Sequence, residues 1–357
     1  MSTSPEIGRL AEPPPRSRGG GRGGSGGGGK KRRGGKRVDE HQMVPDATFT
    51  SYYGRPILKA SPWENDIPAY LFLGGLAAGS SILGAGADLS GRPVLRKSAR
   101  VTSLTAISLS MVALVHDLGR PERFLHMFRV AKPSSPMSVG TWILTAYGPL
   151  AGLAGAAELL PGSVRRTALG RLLVRGARPA GLLAAVVAPA VASYTAVLLS
   201  DTATPTWHDA HEHLPFVFVG SAASASGGLG LVLAPLHESG PARRLGIGGA
   251  LLELAVLRRM EAAMGLTAEP LHEGTPGTLM RASHNLTVAG TLGAAVSGRS
   301  RWLSALSGAA LMAGSACLRF GIFEAGQESA KDPKYVVIPQ RERLAARKAA
   351  EPAQTKA

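Results

Sequence analysis

The chain has 357 residues, a formal net charge of +16 and a single cysteine. Lone Cys317 excludes an internal disulfide, and it excludes any iron–sulfur cluster held by this chain alone, because such clusters need several thiolates. A soluble protein of this length would usually form two domains, but here the apolar residues crowd between about Ile67 and Phe323 while both ends are polar.

Residues 1–50 read as a disordered basic arm. The first 45 residues hold ten Lys and Arg against four acids, and 19–35 are almost all Gly with Arg and Lys. Such a stretch cannot bury a core. A solvated tail near anionic lipid headgroups accounts for it; RNA binding is the minor alternative. No signal peptide is visible, because no apolar stretch follows the arm until Ile67.

A helix that crosses a bilayer needs about 20 mostly apolar residues. Residues 67–87, 99–115, 137–160, 179–199 and 214–236 satisfy this. Residues 245–257 form a shorter segment, interrupted by Arg258 and Arg259, and 279–296 carry Arg281, His284 and Asn285. Residues 302–323 complete a set of eight. The expectation is an all-α polytopic membrane protein arranged as two four-helix bundles, with a membrane domain over 51–326 and a polar tail over 327–357. Gly75 and Gly79 form a small-xxx-small pair that lets helix backbones approach closely. Pro149 and Pro189 lie within spans and mark expected kinks.

An even number of spans puts both termini on one side. The loops on the other side carry Arg92, Arg96, Lys97, Arg100, Arg165, Arg166, Arg171, Arg175, Arg178, Arg243, Arg244, Arg299 and Arg301, which counts as cytoplasmic by the positive-inside rule. The basic arm without an export signal argues the reverse and favours cytoplasmic termini.

The densest chemistry lies between the second and third spans. His116 and Asp117 open a run through Arg120, Arg123, Phe124, His126 and Phe128, and Lys132 to Ser138 follow. Arg123 and His126 against Phe124 and Phe128 fit one short interfacial helix with a polar and an apolar face. A His beside a carboxylate at a water boundary can supply protons to an amphiphile such as a quinone; a snorkelling, self-paired charged loop is the plainer alternative. Asp88, Glu158, Glu253 and Arg319 lie in or at the ends of apolar spans. There they serve either helix–helix pairing or a proton path, with Asp88, Glu158 and Glu253 the candidate acids. Arg281, His284 and Asn285 share one helix face and read as a structural polar cluster. His208, His211 and Glu212 have metal-compatible spacing, but partner docking or a quinone entrance suits their loop better, and no metal ligand is assigned.

Several stretches together resemble the NrfD / polysulfide reductase membrane-subunit family: Tyr52 to Pro56, Pro68 to Gly79, His116 to Arg123, Lys132 to Ser138, Arg319 to Gly326 and Asp332 to Tyr335. The resemblance implies an eight-helix, quinone-reactive anchor in the cell membrane that carries neither haem nor iron–sulfur cluster. Its partners would be a ferredoxin-like iron–sulfur subunit and a molybdopterin catalytic subunit, formate dehydrogenase-like before polysulfide-type reductases, with menaquinone as the membrane substrate. The quinone-binding residues carried over are Tyr70, His116, Asp117, Arg120 and Arg123, with His126 beside them on the same loop; Tyr70 stands where some relatives place a histidine.

Two other classes compete. A haem-b anchor needs paired imidazoles within spans, yet His116 and His237 sit at span ends and only His284 lies inside one; a Soret band would decide for it. A secondary transporter would show broken helices at matching positions in two halves. No acidic or Gly/Pro-interrupted pair recurs in that way.

Overall fold

A computed structural model describes residues 56–350; the basic arm, and Tyr52 to Arg55 of the resemblance, lie outside these. Among the described residues every regular element is helical. Eight helices have twenty or more residues: α1 (Asp66–Leu89), α2 (Pro93–Asp117), α3 (Pro136–Leu159), α4 (Ala168–Ser200), α5 (Leu214–Leu233), α6 (Gly240–Met264), α7 (Gly274–Val296) and α8 (Arg301–Lys331). A ninth, α9 (Lys334–Ala350), makes the expected polar tail helical for most of its length.

Local chemistry sets the boundaries. Gly91, at φ +67°, turns the chain between α1 and α2, and Pro93 opens α2. Glycine takes this left-handed conformation without the clash a Cβ would bring, and proline is preorganised for a first turn. Pro136 opens α3 in the same way. Thr167 and Ser300 cap α4 and α8, accepting from the amides of Gly170 and Leu303. Helix α4 begins eleven residues before the expected span because Arg171, Arg175 and Arg178 lie on helix rather than loop. Both α3 and α4 run through their internal prolines as single helices.

The outer surface is unlike that of a water-soluble protein, although the interior is still largely apolar. Ser80, Ser110, Ser221, Ser224, Ser226 and Thr287 are buried, whereas Val112, Val186, Leu292, Trp302 and Leu306 lie on the outside. Large apolar residues on the surface and small polar ones inside fit a hydrocarbon surround. Five helices, α1, α2, α4, α5 and α8, are long and apolar enough to cross a membrane. Helix α3, expected to be a clear span, falls outside that group because Gly, Thr, Tyr and Pro dilute its apolar residues. Charged and polar residues dilute α6 and α7.

Helix α5 is the hub. It packs on α1, α4, α6 and α8, and it presents small residues to each of these neighbours. A Cβ on Gly79 of α1 would sit 2.6 Å from the Ala222 carbonyl oxygen of α5. One on Gly249 of α6 would lie 2.6 Å from the Gly220 carbonyl oxygen, and one on Gly308 of α8 would meet that of Gly228. The Gly75–Gly79 pair therefore does face a partner backbone closely, and that partner is α5. Around this seam α2 pairs with α1, α3 with α4, and α7 with α8.

Candidate functional site

The ends of the long helices form two polar rims. At one rim α2 stops at Asp117, and His116 Nδ1 lies 2.6 Å from Oδ2 of Asp66, the first residue of α1. The expected His116–Asp117 couple is thus replaced by one between helices. Adjacent residues on a helix do not face each other, so His116 meets the carboxylate that α1 brings beside it. Asp117 is half-buried, and the His116 ring is exposed to solvent. Asp66 escaped the sequence reading, although an acid standing immediately before an apolar span was a visible signal.

Beyond Gly119, at φ +64°, the chain makes a short helix, Arg123–His126, and a 3-10 turn, Met127–Arg129. Arg120, Arg123 and His126 are exposed and have no ion-pair partner among the described residues. Phe124 and Phe128 pack edge to face, centroids 5.2 Å apart. The polar and apolar faces expected here are present, but on a short helix followed by a 3-10 turn rather than on one helix. Ser138 closes it: its hydroxyl donates to the Val130 carbonyl at 3.0 Å and accepts from the Lys132 amide at 2.9 Å.

Below the loop, α2 and α3 enclose an apolar cavity of about 270 Å³. Met111 and Leu114 of α2, Phe124 and Phe128 of the loop, and Thr141 and Leu144 of α3 supply most of its wall. His116 lies two residues beyond Leu114, at the rim. Tyr70 does not line this space. It is buried, its hydroxyl is bonded to that of Tyr194, and its carbonyl accepts from Ser110 at 3.1 Å. The Tyr194 ring presses on Gly140, the neighbour of cavity-lining Thr141. Tyr194 was missed in the sequence; a lone tyrosine inside an apolar span was its only mark.

The opposite rim holds an ion cluster. Asp88 contacts Arg96, Arg100 and Arg178 at 3.4, 3.5 and 3.1 Å, and Glu158 contacts Arg96 and Arg100 at 3.0 Å each. Each carboxylate is engaged by at least two guanidiniums from neighbouring helices, and a buried charge is tolerated only when paired in this way. The arrangement favours helix pairing over proton carrying for Asp88 and Glu158. Glu253 differs. It is buried in α6, accepts from Thr287 at 3.2 Å through Oε1, and has no partner for Oε2 among the described residues. Arg319 of α8 is also buried; it donates to the Phe218 carbonyl at 2.8 Å and stacks on that residue's ring, and its Nε and Nη1 have no partner among the described residues. Buried groups of this kind call for water or a shared proton.

The loop expected to dock a partner or admit quinone is partly core. Trp207 is fully buried, donates to the Ile322 carbonyl at 2.8 Å, and packs near Trp63 and Phe323. Gly326 is required beneath it, since a Cβ there would overlap the indole. His208 and His211 stack at 5.8 Å, each engaged through Nδ1 with a backbone carbonyl. Among the described residues no group of three or more His, Cys, Asp or Glu side chains is gathered as metal ligands. On the same rim Lys334 meets Glu269 at 3.0 Å; this contact raises the lysine pKa and lowers the glutamate pKa.

No curated protein matches the chain. A family model described as polysulphide reductase, NrfD, matches residues 58–263. That span contains α1 to α5 and all but the last residue of α6, with the His116 loop, the apolar cavity and the Asp88–Glu158 cluster. It covers more than half of the chain, which therefore belongs to the NrfD family and is a multi-pass membrane protein.

Proposed function

We propose that this chain is the quinone-interacting membrane subunit of a multi-subunit oxidoreductase, with all eight long helices spanning the bilayer as two groups of four. Membership of the family supports the class. The observation that carries the site is an apolar cavity between α2 and α3, walled in part by Phe124 and Phe128 of the loop that also bears Arg120 and Arg123, with the His116–Asp66 pair at the same end of α2 but outside the cavity wall. A quinone is an amphiphile with an apolar tail and two carbonyl oxygens, so it matches this pairing of greasy wall and donor-rich rim.

Reducing a quinone adds two electrons and two protons. His116, oriented by Asp66, can deliver a proton from Nε2 and be recharged from water, because its ring is exposed. Arg120 and Arg123 offer fixed donors for an oxygen that gains negative charge. Tyr70 then acts from behind the cavity, setting Tyr194 and the α1–α4 contact rather than touching quinone. Glu253, the buried acid with an unpartnered oxygen, is the group proposed to carry protons deeper in the bundle. Electrons enter from an iron–sulfur subunit docked on the rim, where Arg120, Arg123 and His126 are exposed. A molybdopterin enzyme of formate dehydrogenase type stands behind that subunit, and menaquinone is the membrane substrate.

In the assembled complex, His116→Ala and Asp66→Asn should each lower quinone-coupled turnover by about 100-fold, the scale of a lost general acid. Turnover with an artificial dye at the partner should be unchanged. Asp117→Asn should have the smaller effect. Full quinone coupling in both of the first two variants would refute the site.

A further inference from the structure

A second cavity, of about 310 Å³, lies between α6 and α7 near the rim that carries His116. Its polar wall comes from Arg258 and Glu261 of α6 and from Arg281, His284 and Asn285 of α7. Leu254, Leu257 and Met280 form the apolar remainder. At the ordinary rise of a helix, Arg258 lies about 9 Å in from the end of α6, and His284 about 15 Å in from the start of α7. The two arginines thus lie nearer the rim than His284 and Asn285, with Leu254, Leu257 and Met280 beside them along the same depth.

The charges do not cancel within the cavity. Glu261 is met by His272 at 3.8 Å, and Arg281 commits one N–H to the His272 carbonyl at 3.2 Å. Arg258 is exposed and pairs with no carboxylate among the described residues. Two guanidiniums therefore face one carboxylate that already has a partner, with imidazole and amide groups beside them. Guanidinium forks suit phosphate oxygens, and a basic pocket between helices at the membrane boundary suits an anionic lipid.

We infer that the α6–α7 cavity is a binding site for the phosphodiester headgroup of an anionic phospholipid, with an acyl chain lying along Leu254 and Leu257. The inference needs α6 and α7 in the membrane, as the proposed eight-span reading has them, and needs nothing of the quinone assignment.

Native mass spectrometry of the full chain in detergent tests it, with phosphatidylglycerol and phosphatidylcholine of matched acyl chains as probes. The unmodified protein should retain phosphatidylglycerol in preference, and Arg258→Gln or Arg281→Gln should each reduce that preference about five-fold. Arg259→Gln, altering a neighbour outside the cavity, should leave it unchanged. Arg258 is exposed, so its variant keeps the test usable if Arg281→Gln fails to fold. Equal retention of the two lipids would overturn the inference, as would an equal loss in Arg259→Gln. Displacement of the lipid by equimolar inorganic phosphate would show a free-phosphate site instead. Retention of neither lipid would also contradict the membrane placement of α6 and α7, whereas equal retention would contradict the headgroup site alone.

Discussion

Trp207 shows how one side chain can reverse the meaning of a loop. The histidines and acids around it advertise a surface site, yet its indole is fully buried and bonded to the Ile322 carbonyl. Trp207→Ala should therefore cost about 3–5 kcal/mol, the usual range for emptying a large aromatic site. Trp207→Phe should cost about 0.5–1.5 kcal/mol for the lost indole hydrogen bond, because the Ile322 carbonyl keeps its place in the α8 ladder. Thermal unfolding in detergent measures both, and an Ala variant as stable as the unmodified protein would show that the indole is not structural. His116 teaches the complementary lesson. Its type and position were readable, but its partner was not: Asp66 is fifty residues away, and only the α1–α2 packing brings the two together. Likewise Tyr70 was legible as a special residue, while its consumption by Tyr194 depends on how α4 lies across α1.

At the scale of the helices, apolar length was the strongest signal, and it located every one of the eight long helices. Their ends were less legible, because Arg171 to Arg178 and Lys331 sit on helix that continues past the apolar stretch. Small residues carried the packing information. Gly79 meets the α5 backbone, whereas a Cβ on Gly86 would find nothing within 4 Å. Gly79→Ala should accordingly destabilise by about 1–3 kcal/mol through overpacking, and Gly86→Ala should be neutral or stabilising by up to about 1 kcal/mol. Unfolding of the two variants under one detergent condition separates them. Equal behaviour would mean that α1 and α5 do not touch as described. The arginines of the opposite rim belong to this scale too. Several hold helix ends, Arg165 at the Ala157 carbonyl and Arg301 at Leu231, and others hold Asp88 and Glu158. Their number therefore includes arginines that pair in the folded state.

For the whole molecule, the proposal is that a lipid-soluble carrier meets a donor-rich rim at the α2–α3 end of a chain whose single cysteine is too few to hold an iron–sulfur cluster alone. The cavity could not be foreseen from the sequence. Met111, Leu114, Thr141 and Leu144 look like any other span residues until α2 and α3 part beneath the His116 loop. The α6–α7 cavity, which has charged groups in its wall where this one has none, is the natural competitor for an amphiphile. Photolabelling of the membrane-embedded protein with an azido-quinone, followed by peptide mapping, distinguishes the two directly. The account predicts label on residues 111–149, competed by unmodified quinone and reduced in His116→Ala. Competed label confined to α6 and α7, or none at all, would contradict it.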